Sequence, residues 1–334
     1  MTNTGIPGNI YVLKIHLPNS AFLGNIDPFL KGFDPSDPAR LEVTANENWI
    51  SVHPLVIAMV AALARTVDPW NIRCAKLEAR SRHYLARMGL LKALGVEPDV
   101  PFVEHAPEGR FIPLSRIGSS EELSRFIADM TPMLHLQEAP EHARTLGYIV
   151  SELVRNVLEH AESEHGAVLC AQYYKKSNSI RIGIADTGVG VRATIGRSHD
   201  APTDLDAIRL ALMPGITGTT AVEGGTAQNA GAGLFFIKSI ASVNRDFFVL
   251  YSGRGFYKLL TKPEGKRLRL HADPFDDRHS KDGGFPHWNG TLVGVDITLD
   301  QTREFTQLLD AVRETYSSAV RERRHERRRR PRFL

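Results

Sequence analysis

The chain has 334 residues, 42% hydrophobic and 24% charged, a composition that suits two domains with sizeable cores. The net charge of +3 is unevenly placed: segment 321–332, RERRHERRRRPR, holds eight Arg and two Glu and carries +6, leaving −3 for the rest. No run approaches the roughly 20 apolar residues of a membrane helix, and the N-terminus lacks the basic start and apolar run of a signal peptide. Cys74 and Cys170 make no metal-ligand spacing, so two free thiols in a cytoplasmic protein with no membrane contact are expected.

Residues 9–16 read as a first strand and 41–49 as a second, followed by a helix from Pro54 to Val67 that is apolar nearly all round and so buried. A strand at 72–79 precedes an amphipathic helix, SRHYLARMGLLKALG, closed by Gly95 in the left-handed conformation that glycine favours. Strand, helix, strand, helix implies a small α/β layer domain. Residues 96–118 are rich in Pro and turn residues and read as a connecting strand region. Helices follow at 121–134 and from Glu141 to Ala161, the latter with apolar Leu146, Ile149, Val150, Leu153, Val157 and Leu158 at steps of three and four. Strands are expected at 167–175 and 179–186, then a long irregular stretch at 191–233. A helix at 234–243, strands at 245–253, 255–262 and 291–299, and a basic helix at 302–328 complete the chain, with no internal repeat.

Four fragments carry chemistry. In SELVRNVLEH, Glu152, Asn156 and His160 recur every four residues and share one helix face, which is either a site or a plain polar stripe. In IADTGVG an apolar strand ends in Asp186 and runs into Gly188 and Gly190, which either admit a ligand or supply a tight turn. In NAGAGLFFIKSIA, Gly231 and Gly233 open a helix, where backbone N–H groups and the helix dipole favour an anion. In GTLVGVDI, Thr291 stands at the head of a late strand. There is no P-loop, and the glycines follow a loop rather than a strand, unlike a dinucleotide-binding fingerprint. Lys238 and Arg155 either reach phosphates or are solvated helix residues.

In this order the four fragments resemble the GHKL superfamily of ATP-binding domains, which includes sensor histidine kinases and anti-sigma-factor serine kinases. ELVRNVLEHA resembles its N box, DTGVG its G1 box and NAGAGLFFI its G2 box, over about residues 120–300. The resemblance implies ATP and Mg²⁺ as cofactors. It implies that Glu152 is the catalytic base, that Asn156 is the metal ligand and that Asp186 accepts from the adenine amino group. It further implies that Gly188 and Gly190 pass beside base and ribose, and that Thr291 supports the adenine pocket. Residues 191–230 would form a lid, ended by Gly231, Gly233 and Leu234, whose N–H groups face the phosphates. His160 would pack near the nucleotide.

The N-terminal pattern, LEVTANENWISVHPLVIAMVAALA followed by SRHYLARMGLLKALG, resembles a STAS-type regulatory fold. Phosphorylatable members carry an Asp-Ser-x-Gly turn, whereas this chain has Ser51, Val52, His53 and Pro54. The expected fold class is therefore α+β. A two-layer α/β sandwich of the GHKL (Bergerat) type with a mixed sheet spans 120–300. It follows a smaller α/β STAS-like domain at 1–100 and a connector at 101–119, and precedes a helix and Arg-rich tail at 301–334.

The expected function is Mg-dependent ATP binding with hydrolysis or phosphoryl transfer, serving regulation through a protein partner of the N-terminal module. Alternatives are a nucleic-acid-associated ATPase using the polyanion-binding tail 321–332, and a nucleotide-gated binding module without catalysis. A histidine kinase fits poorly, because neither His135 nor His142 has the surroundings of a phosphoacceptor. Oligomeric state, phosphoacceptor and signal are not encoded in any motif.

Overall fold

The structure, a computed structural model, describes residues 11–36, 38–75, 82–96, 111–133, 140–220, 233–261, 270–299 and 305–329. The chain is of mixed α and β type, with one parallel and one antiparallel sheet. Strands β1 (Val12–Leu17), β2 (Arg40–Ala45) and β3 (Ile72–Cys74) form the parallel one, in that order, with α1 (Asp27–Lys31) between the first two strands. Alternation puts Leu13, Ile15 and Leu17 inward and Val12, Lys14 and His16 outward.

The larger sheet has seven strands. They are β4 (Phe111–Ile117), β5 (Ala167–Tyr174), β6 (Ser179–Ala185), β7 (Phe248–Gly253), β8 (Gly255–Leu259), β9 (His279–Asp282) and β10 (Trp288–Thr298). Their order is β4-β5-β6-β10-β7-β8-β9. Every neighbouring pair is antiparallel, which corrects the expected mixed sheet. The reason lies in β10. Strands β6 and β7 run the same way, but β10 inserts between them, pairing Val293 with Ile184 on one side and Leu250 on the other. Two other neighbouring pairs, β5–β6 and β7–β8, are tied by short turns at Asn178 (φ 43°) and Gly253 (φ 59°). Strand β4 lies in the stretch expected to be a connector, yet it pairs with β5 as an edge of this sheet.

Helices α5 (Ser120–Met133), α6 (Pro140–His160) and α9 (Gly233–Asn244) belong to the front layer. Leu153, Ile149 and Ile237 meet Ile182, Ile184, Val293 and Leu250 there. The back face is covered by α2 (Pro54–Ala64), all eleven residues of which are buried. The expected two-layer sandwich thus has a layer on each side, and residues before and after 100 share one core. Two paired glycines allow this approach, Gly183 on β6 and Gly294 on β10. A Cβ on Gly183 would lie 2.1 Å from Leu55 N, and one on Gly294 would lie 2.9 Å from Leu55 Cδ2. His53 caps the helix, its Nδ1 accepting the Leu55 N–H at 3.0 Å, while its Nε2 meets Asp296 Oδ1 at 3.0 Å. Burial lowers the His53 pKa, and this neutral ring serves as a cap acceptor.

The helix expected over 81–95 is two short ones, α3 (Arg82–Arg87) and α4 (Leu90–Ala93), separated by Gly89 at φ 84°. Gly95 has the expected positive φ of 68°. The stretch 191–233, read as irregular, contains α7 (Gly190–Ile195) and α8 (Asp204–Ala211). Strand β9 had no strand-like periodicity in the sequence and forms by pairing with β8. The basic helix is α10 (Phe305–Arg329), packed on α9. Among the described residues no helix is long and apolar enough to cross a membrane.

Candidate functional site

The apolar face of α6 buries Leu146, Ile149, Val150, Leu153 and Val157 against the sheet. The opposite stripe, with Glu152, Asn156 and His160, lines a cavity of about 300 Å³. The other walls come from Ile184 and Asp186 at the end of β6, the start of α7, residues 216–218, Gly233 and Leu234 at the start of α9, and Thr291 and Val293 of β10. That volume is at the small end of ligand cavities.

Asp186 forms part of this wall and is only 2% exposed. Its backbone N–H donates to Thr291 O at 3.0 Å, and its Oδ1 accepts the Gly188 N–H at 2.9 Å. Its backbone oxygen accepts from Trp288 Nε1 at 3.0 Å. Burial raises the carboxyl pKa to about 7, against the opposing pull of the Gly188 and Thr291 hydrogen bonds.

The turn after Asp186 is shaped by close approach. A Cβ on Gly188 would lie 1.9 Å from Ala161 O, and the Val189 N–H donates to that same oxygen at 2.8 Å. Gly188 therefore presses the turn onto the end of α6 and is not part of the cavity lining, whereas Gly190 (φ 78°) is. Ser252 Oγ accepts the Val191 N–H at 2.9 Å and donates to Gly290 O at 2.6 Å. Gly290, at φ 101°, leaves room for Asp186, whose backbone oxygen would be 2.3 Å from an added Cβ.

Glu152 is partly buried, and its pKa is raised by desolvation. Arg155, 3.6 Å away, lowers it and Glu159 raises it. Arg155 also bonds Glu159 through Nε at 3.0 Å, so this arginine is an exposed, paired cation on the rim. Asn156 Nδ2 is buried with no hydrogen-bond partner among the described residues. A buried amide left unsatisfied costs about 1–3 kcal/mol, so its presence on the wall of a cavity is what a ligand-binding amide looks like.

No protein-family profile matches the chain, and no curated protein does.

Of the nine residues singled out in the sequence, Glu152, Asn156, Asp186, Gly190, Gly233, Leu234 and Thr291 line one cavity. Gly188 supports it from behind, and Gly231 lies outside the described residues, as do 221–230 of the expected lid. Lys238 is neither a phosphate ligand nor solvated. It is buried, with Nζ 2.6 Å from Asp277 Oδ2 and 3.1 Å from His271 O. Sequence reasoning missed Tyr148, Ser252, Trp288 and the segment Ile216–Gly218. The first had a signal, since it precedes Glu152 by four residues on the same face. Segment 216–218 had none: it is held by Ser198 Oγ donating to Gly218 O at 2.9 Å and by His199 Nε2, 3.0 Å from Thr217 O.

Proposed function

We propose that the cavity binds Mg·ATP and that the chain is a GHKL-type nucleotide-dependent regulator that hydrolyses ATP or transfers its phosphoryl group. The observation that carries this reading is the convergence of buried Asp186 with Glu152 and Asn156, one helical turn apart, opposite the glycine start of α9. Asp186 takes the role of acceptor for an exocyclic amine, with Thr291 beside it. The Asn156 amide oxygen is the side-chain donor that would hold a hard cation, whose remaining ligands would come from water and phosphates. Bound magnesium supplies neutralisation of phosphate charge. Glu152, its pKa raised by burial, is suited to accept a proton from an attacking hydroxyl or water. N–H groups at the start of α9, beginning with Gly233, favour an anion placed there.

The three parallel strands and buried α2 support a STAS-like reading of the N-terminal part, with a protein partner as its object. Incubation of the purified chain with Mg·ATP labelled at the γ-phosphate, alone and with lysate, tests the assignment. Free labelled phosphate means an ATPase and a labelled protein means a kinase. Binding with neither means a nucleotide-gated module, and absence of binding removes the assignment.

A further inference from the structure

Helix α10 does not line the cavity but reaches two of its walls through neighbours of the lining residues. Tyr316 packs on Phe236 with ring centroids 6.1 Å apart, and Phe236 packs on Tyr148 at 6.1 Å. Tyr148 lines the cavity one turn before Glu152. Further along α10, the Arg323 guanidinium donates to Pro214 O. Pro214 is two residues before Ile216, the first residue of the segment 216–218 that closes the cavity's far wall.

Beyond Val320 the helix changes character. Residues 321–330 read RERRHERRRR, with no apolar residue, whereas Val312, Ala319 and Val320 are buried. A helix that lies in a membrane surface needs an apolar face, which this stretch lacks. Arginine's planar fork matches phosphate oxygens, and a dense arginine block opposite a body of charge −3 suits a nucleic-acid backbone without sequence readout.

We propose that the C-terminal end of α10 is a nucleic-acid-binding surface, and that its occupancy loosens the nucleotide cavity through Arg323 and Pro214. The second half of this proposal rests on the nucleotide reading above. A phosphate is a charged acceptor and forms a stronger bond to guanidinium than a neutral carbonyl does. Nucleic acid therefore draws Arg323 from Pro214, and the segment 214–218 loses an anchor. Nucleotide affinity falls, and by reciprocity bound nucleotide weakens nucleic-acid binding by the same factor.

The test uses the full chain, a fluorescent ATP analogue and a labelled DNA 30-mer. DNA should bind with a steep salt dependence, losing an order of magnitude or more between about 50 and 200 mM salt. Saturating DNA should weaken the ATP analogue by about 5–10-fold, within the usual range of coupling between sites. Changing Arg324, Arg327, Arg328, Arg329 and Arg330 together to Gln should abolish DNA binding and leave nucleotide affinity unchanged, which also reports an intact fold. Arg323→Gln should keep DNA affinity within about threefold, since one phosphate contact among several is lost, and should abolish the effect of DNA on nucleotide. Equal weak DNA binding by wild type and the five-Gln variant overturns the surface. Binding to phosphatidylserine vesicles but not to DNA overturns the choice of partner. Firm DNA binding with unchanged nucleotide affinity overturns the coupling. Failure of the analogue to bind with or without DNA overturns the nucleotide reading and the coupling, while the DNA titration decides the surface separately.

Discussion

Gly233 stands so close to Glu152 that a Cβ on it would lie 2.4 Å from Oε2. The start of α9 and the middle of α6 are thus set against each other at Glu152, the proposed general base, and Gly233→Ala must push that carboxylate aside. Because the obstructed atom is the end of a flexible side chain, the fold should survive, with a stability change within about 1 kcal/mol, the scale of a Gly-to-Ala exchange in a helix. ATP turnover should fall by roughly tenfold or more, since a small misplacement of a reacting group is costly. Parallel denaturant unfolding and phosphate-release assays decide it; unchanged turnover would remove Glu152 from the reaction.

Glu152→Ala should leave ATP binding within about threefold and reduce hydrolysis or transfer by roughly 10²–10⁴-fold, the span of general-base catalysis. Calorimetric titration with ATP and a single-turnover assay separate the two effects. A parallel loss of binding and turnover would instead make Glu152 a ligand-holding group.

Asp186 predicts a pH dependence. Its folded pKa of about 7 lies above the unfolded value near 3.8, so the folded state holds the proton more tightly. Its contribution to stability is therefore most favourable at acid pH and declines as pH rises from about 4 to 7. Adenine binding should run the other way, since an amino donor needs the ionised acceptor: ATP affinity should rise through pH 7. Asp186→Asn should weaken ATP binding and flatten both profiles. An ATP affinity in the variant equal to wild type would refute the site assignment.

Gly183→Ala places a Cβ 2.1 Å from Leu55 N and 2.3 Å from its Cα. Backbone cannot rotate away as a side chain does, so α2 must lift from the sheet, at a cost of about 1–3 kcal/mol. Thermal unfolding should move down by several degrees. No shift would mean that α2 is not seated on β6.

Lys238 and Asp277 are each 1% exposed and paired at 2.6 Å. Lys238→Met leaves Asp277 buried beside an apolar side chain and should cost about 3–5 kcal/mol, whereas adding Asp277→Leu should recover most of it. Urea unfolding of the two variants tests the pair. Similar losses in both would show that packing, not charge, sets the cost.

Helix α6 was readable because its apolar residues repeat every three and four positions, and the same periodicity placed Glu152 and Asn156 on one stripe. Asp186, just past the end of β6, and Thr291, inside β10, are likewise marked by local apolar runs and glycines. Helix α7 is hidden by its short length and flanking glycines, and α8 by its short length between stretches of turn residues. Gly188 reads in sequence as a ligand-facing glycine, because a sequence cannot tell which backbone it must pass, here Ala161 O.

Local periodicity and motif order therefore settled most of the helices and strands and gathered seven cavity residues in advance. Tertiary packing alone decided that β10 divides β6 from β7, that α2 covers the back of the sheet over Gly183, and that Lys238 turns inward to Asp277. Each depends on pairing between residues tens to hundreds of positions apart. Such register is chosen by the burial and charge compensation of the whole core, and no short stretch of chain carries a signal for it.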